Sequence, residues 1–98
     1  MAYKLILLPA VENDISSVIE WYEAANADLS RQFIDDLDNV FKNVLFNPFL
    51  YQVVFKEYRG ANARRFPYKI IYRISGESIV VLAVVHHRRS PRTWKKRI

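Results

Sequence analysis

Two apolar stretches near the end of the chain, Phe66–Ile74 and Ser78–Val85, lie back to back across Ser75-Gly76-Glu77 and run straight into a cationic segment, His86–Arg97. β-branched and aromatic residues dominate both stretches, and a Gly-containing turn joins them, so they read as paired antiparallel strands. A buried strand pair that delivers basic side chains to one end of a fold implies an anionic or acid-rich partner. In the earlier of the two strands, Phe66, Tyr68, Ile70, Tyr72 and Ile74 share one face, and Arg65, Lys69, Ile71 and Arg73 share the other. The sheet is therefore expected to be apolar on one side, under helices, and basic on the other.

The rest of the chain supplies the cover. Tyr3–Leu8 reads as a first strand, ended by Pro9. After it, Val11, Ile15, Val18, Ile19 and Tyr22 fall on one helical stripe, with the acidic residues on the solvent side. The segment Ala24–Asp28 breaks that pattern, and Asp28 is the expected N-cap of a second helix. Leu29, Phe33, Leu37, Val40, Phe41, Val44 and Leu45 continue it to Asn47-Pro48, where proline stops the ladder. The remainder reads as a meander of strands, Val53–Tyr58, Ala63–Ile74 and Ser78–His87, with a turn at Arg59–Asn62. The expected architecture is α+β, β-αα-βββ: a helical hairpin on one face of a small, mainly antiparallel four-stranded sheet. All 98 residues are expected to form a single domain.

Charge is divided between the halves. Residues 1–50 carry three Lys or Arg against eight Asp or Glu, a net −5, whereas residues 51–98 carry twelve against two, a net +10. That split suggests two surfaces with different partners, the basic one suited to a polyanion or an acidic protein. No apolar run is long enough to span a bilayer, and the N-terminal apolar run is too short for a signal-peptide core. With no cysteine in the chain, a cytoplasmic location is expected.

Several chemistries are excluded. Neither glycine stands in a phosphate-loop context, no thiol is present, and no serine has nucleophile-elbow surroundings. His86 and His87 are neighbours on a strand and face opposite ways, so they do not chelate one metal ion together. No cofactor or metal is expected. The basic set remains: Arg64, Arg65, Lys69, Arg73, Arg88, Arg89, Arg92, Lys95, Lys96 and Arg97, with Trp94, flanked by Arg92 and Lys95, as a stacking or packing surface. Guanidinium groups bind phosphates bidentately. His87 is the acid–base candidate if the chain is an enzyme.

Taken together, the proline-ended first strand, the helical hairpin closing at Asn47-Pro48, Arg64–Tyr68, Ile71–Arg73, Val80–Val84 and His86–Arg92 resemble the RelE/ParE superfamily of bacterial toxins. The resemblance covers nearly the whole chain. It implies a toxin held in a hetero-oligomer by a cognate antitoxin, acting on either of two targets. ParE-type members poison DNA gyrase without cutting nucleic acid. RelE-type members are metal-independent ribonucleases that cut mRNA on the ribosome. For the second branch, the matching positions here are Lys69 for an arginine early in the strand and Arg89 for the arginine after the last strand. Arg73 would join them on the phosphate, and His87 would move protons. The family's C-terminal tyrosine falls near Trp94 and Lys95, so its hydroxyl is missing. The expectation is a ParE-like gyrase inhibitor contacting its target through Arg64, Arg65, Arg88, Arg89, Arg92 and Trp94. The alternatives are a ribonuclease using Lys69, Arg73, His87 and Arg89, or a nucleic-acid-binding domain with no poisoning activity.

Overall fold

The computed structural model describes residues 2–98. A first strand, β1 (Lys4–Leu7), leads into two helices, α1 (Pro9–Ala25) and α2 (Ala27–Phe46). Four strands follow, β2 (Val53–Phe55), β3 (Tyr58–Asn62), β4 (Tyr68–Ser75) and β5 (Ser78–His86), and then a single-turn helix, α3 (Arg92–Lys95). The sheet order is β1-β5-β4-β3-β2. β1 pairs parallel to β5, and every other pairing is antiparallel.

Helix boundaries follow local chemistry. Pro9 occupies the first turn of α1, where its missing N–H costs nothing. One residue, Asn26, serves both helices. Its backbone N–H closes α1 onto Tyr22, and its side chain accepts from the Asp28 N–H at 2.8 Å to open α2. The cap is thus two residues earlier than expected, and Asp28 sits in the first turn, paired with Arg31 and favourable to the helix dipole.

The α+β class is as expected, but the sheet has five strands and not four. The stretch read as one strand, Val53–Tyr58, is a tight hairpin that reverses at Lys56-Glu57, with Lys56 at φ +50°. Arg59–Asn62, expected as a turn for its glycine and asparagine, lies within strand β3. At Gly60 a Cβ would meet Val54 Cγ1 at 3.1 Å, a tight contact that the Val54 side chain would have to relieve by a few tenths of an ångström. Residues 63–67, expected as strand, form a loop.

Both helices cover one face of the sheet. Val11, Val18, Phe33, Leu37, Val40 and Val44 pack there on Ile70, Tyr72, Ile79, Val81 and Val84. The opposite face is not uniformly basic. Tyr58, Ile71, Leu82, Ala83, Val85 and Trp94 form a second, smaller core on it. A β-bulge makes this possible: Ile71 pairs with Ala83 and Tyr72 with Val81, leaving Leu82 as the extra residue. Before the bulge, Ile79 and Val81 face the helices; after it, the phase flips and Val84 does.

Tyr72 is fully buried, and its hydroxyl donates to the Pro48 carbonyl at 2.6 Å, tying the end of α2 to the sheet. Burial pushes its pKa up to about 12, against a smaller opposing effect of Arg59. The folded value lies above the unfolded one, so this stabilisation is complete below about pH 10 and is lost as pH rises toward 12. Denaturant titrations at pH 9 and pH 12 should therefore differ by up to about 3 kcal/mol. Tyr72→Phe should remove most of that alkaline loss and cost about 1 kcal/mol at neutral pH for the missing hydrogen bond.

Candidate functional site

Two basic loops project from the sheet, and a carboxylate on each helix anchors one of them. The first loop holds Arg64 and Arg65, both exposed. Asp36 of α2, only 4% exposed, reaches across and accepts the backbone N–H groups of Arg64, Arg65 and Phe66 at 3.1, 2.8 and 2.9 Å. With its backbone held, the loop turns both guanidinium groups outward.

The second basic element is the C-terminal tip. β1 ends opposite Val81, so Leu82–His86, more than half of β5, has no neighbour strand on that side among the described residues. Asp14 of α1 and Arg97 fill the vacancy together. Asp14 Oδ2 accepts from the Val84 N–H at 3.1 Å, and Arg97 Nη1 donates to the Leu82 carbonyl at 3.1 Å. The two side chains also bind each other through two hydrogen bonds of 2.7 Å. The bidentate bond to Asp14 is the main cause that raises the Arg97 pKa, with burial opposing it. The tail is therefore fastened down, and α3 drops Trp94, 2% exposed, into the second core against Phe55. Trp94 was expected as a target contact; folded in this way it is a packing residue.

Other expected site residues are scattered. Arg88, Arg89 and Arg92 are exposed on the tip. Lys69 and Arg73 alternate with Ile70 and Tyr72 and so point to the face away from the helices, where Ile71 packs beside Trp94. Arg89 instead lines a cleft against α1. His87 is exposed, with Nε2 3.1 Å from the Tyr68 carbonyl. The histidine in the cleft is His86, which the bulge turns onto the helix side, edge-on to Tyr68 with ring centroids 5.1 Å apart. The Tyr68 pKa is raised chiefly by burial and then by Tyr22, with Arg89 pulling the other way. Among the described residues, no three His, Cys, Asp or Glu side chains gather as a metal site, and no helix is long and apolar enough to cross a membrane.

A helical hairpin on one side of a mixed five-stranded sheet, with a basic tip after the last strand, is the arrangement that the resemblance to the RelE/ParE superfamily implies. Comparison with known proteins agrees and is more particular. Residues 5–91 match the family model described as the ParE toxin of the type II toxin–antitoxin system parDE. The chain is 32% identical over 92 residues to Toxin ParE2 of Mycobacterium tuberculosis, in strain H37Rv and in strain CDC 1551, covering 93% of this chain and 88% of the relative. It therefore belongs to the ParE toxin family of type II toxin–antitoxin systems. The fold is shared with a chain of the chromosomal ParDE toxin–antitoxin system from P. aeruginosa, at TM-score 0.76 and 13% identity over 87% of this chain and 96% of that one. It is also shared, at TM-score 0.57 and 18% identity over 88% of this chain and 99% of the other, with a chain of the toxin–antitoxin complex RelBE2 from Mycobacterium tuberculosis.

Proposed function

We propose that this toxin inhibits DNA gyrase without cutting nucleic acid, and that a cognate antitoxin neutralises it in a hetero-oligomer. One observation carries the choice between targets. A metal-independent ribonuclease has to converge its cations and its acid–base group on a single phosphate. Here Lys69 and Arg73 leave one face of the sheet, Arg89 lies toward α1 on the other, and His87 sits against a backbone carbonyl. The position nearest the family's tyrosine holds Trp94, buried and with no proton to exchange near neutrality. What stays together is Arg88, Arg89 and Arg92 on one exposed tip, a surface suited to docking on a machine that handles DNA.

Two features support the antitoxin. Phe46, Phe49, Leu50, Val53 and Val54 are exposed along the end of α2 and the outer strand β2, whose outer edge has no neighbour in the sheet. An apolar patch beside an open strand edge favours cover by another chain. The opposite charges of the two halves suit a partner segment carrying both signs.

Purified protein added to a gyrase supercoiling reaction should stop supercoiling, and mRNA recovered from a translating extract should stay intact. Codon-phased cuts in that mRNA, with supercoiling unaffected, would overturn the proposal in favour of the ribonuclease.

A further inference from the structure

The cleft between α1 and the C-terminal tip has a volume of about 340 Å³, within the range of small-ligand sites. Its apolar lining comes chiefly from Val18 and Val84 on the helix side of the sheet, 8% and 4% exposed. Trp21 stands at its rim with 74% of its surface exposed, an unusual place for an indole. Arg89 and Ser17 also line the cleft, and both are exposed.

His86 adds a donor whose tautomer is set by the backbone. Its Nδ1 accepts the Arg88 N–H at 3.0 Å, so the neutral ring carries its hydrogen on Nε2. The one carboxylate in the cleft, Asp14, is taken up by Arg97 and the Val84 N–H and adds no net repulsion. A free guanidinium, an imidazole N–H and a hydroxyl thus share this cleft with an exposed indole.

We infer that this cleft binds a nucleotide, with the base stacked on Trp21 and the phosphate held by Arg89, the His86 Nε2–H and the Ser17 hydroxyl. An unpaired nucleotide in a single strand and a free mononucleotide present the same chemistry. The inference does not depend on whether gyrase or mRNA is the target.

The test is calorimetric titration of the full chain with AMP, adenosine, inorganic phosphate and a short single-stranded oligodeoxyadenylate, with tryptophan emission followed in parallel. AMP should bind and quench Trp21, and adenosine or phosphate alone should bind at least about ten-fold more weakly, since each keeps only one of the two interactions. Arg89→Met should weaken AMP by about ten-fold or more. Trp21→Ala should abolish the quench and weaken AMP in the calorimeter. Both side chains are exposed, so the fold should survive; Ser17→Val serves as a second variant with the same expected direction. If the oligonucleotide competes with AMP, the ligand is a single strand; if AMP binds and the oligonucleotide does not displace it, the ligand is a free nucleotide. No AMP binding, AMP binding that Arg89→Met and Trp21→Ala leave unchanged, or phosphate binding as tightly as AMP would each overturn the inference.

Discussion

Asp36→Ala should cost about 3 kcal/mol or more of unfolding free energy, because three backbone N–H groups lose a charged acceptor at once. Total stability for a domain of this size is about 5–15 kcal/mol, so the variant should melt more than about 10 °C lower. The carboxylate is the right group for the site. Two oxygens serve three donors fanned out by the loop at Arg64–Phe66, with no competing donor of their own. Asparagine fits the same space but turns an NH₂ toward one of those N–H groups, and it should recover only about half of the loss. Urea titration monitored by circular dichroism decides this, and amide exchange at Arg64, Arg65 and Phe66 locates it. A loss below about 1 kcal/mol, with those amides still protected, would mean that the loop holds itself without Asp36.

The same residue shows where sequence reading reaches and where it stops. The helices, the β4–β5 pair and the basic tip were legible because periodicity and turn chemistry are local. Asp14, expected with the other acidic residues on the solvent side of its helix, is one of two carboxylates that turn inward, Asp36 being the other, and the signal was present. Asp14 falls three residues after Val11 and four before Val18, and Asp36 stands in the same relation to Phe33 and Val40. Both therefore lie on the apolar stripes of their helices, where a carboxylate needs a partner. The identity of those partners was out of reach: Arg97 lies 83 residues from Asp14, and the N–H groups that bind Asp36 carry no side-chain signature.

Strand details were illegible for a different reason. The reversal at Lys56-Glu57 uses a lysine at positive φ, where glycine or asparagine would be the readable choice. The extra residue at Leu82 is one Val, Leu or Ala among many, and nothing in such a run marks a bulge. That bulge decides which histidine turns toward the helices. A regular strand continuing from Ile79 and Val81 would place His87 on the helix side; the shifted phase places His86 there. An unbroken alternation would have put His87 in the cleft as the acid–base candidate, and the strand does not keep that alternation.

The division of the basic residues leads to the second large effect. Replacing Arg88, Arg89 and Arg92 together with alanine should raise the concentration needed to stop gyrase by about a hundred-fold or more, taking on the order of 1 kcal/mol for each exposed charge removed from a docking surface. Stability should hardly change, since these side chains are exposed and the tip is held by Asp14, Arg97 and Trp94. Lys69→Ala with Arg73→Ala, on the other face of the sheet, should shift inhibition far less, and so should His87→Ala. A ribonuclease reverses this ranking, because Lys69, Arg73 and His87 then carry the phosphate and the proton, and losing His87 alone costs about 100-fold or more. The measurement is inhibition of supercoiling by each purified variant, paired with growth after induced expression. If the Lys69/Arg73 pair or His87→Ala abolishes toxicity while the tip variant keeps it, the tip is not the working surface and the gyrase proposal falls with it.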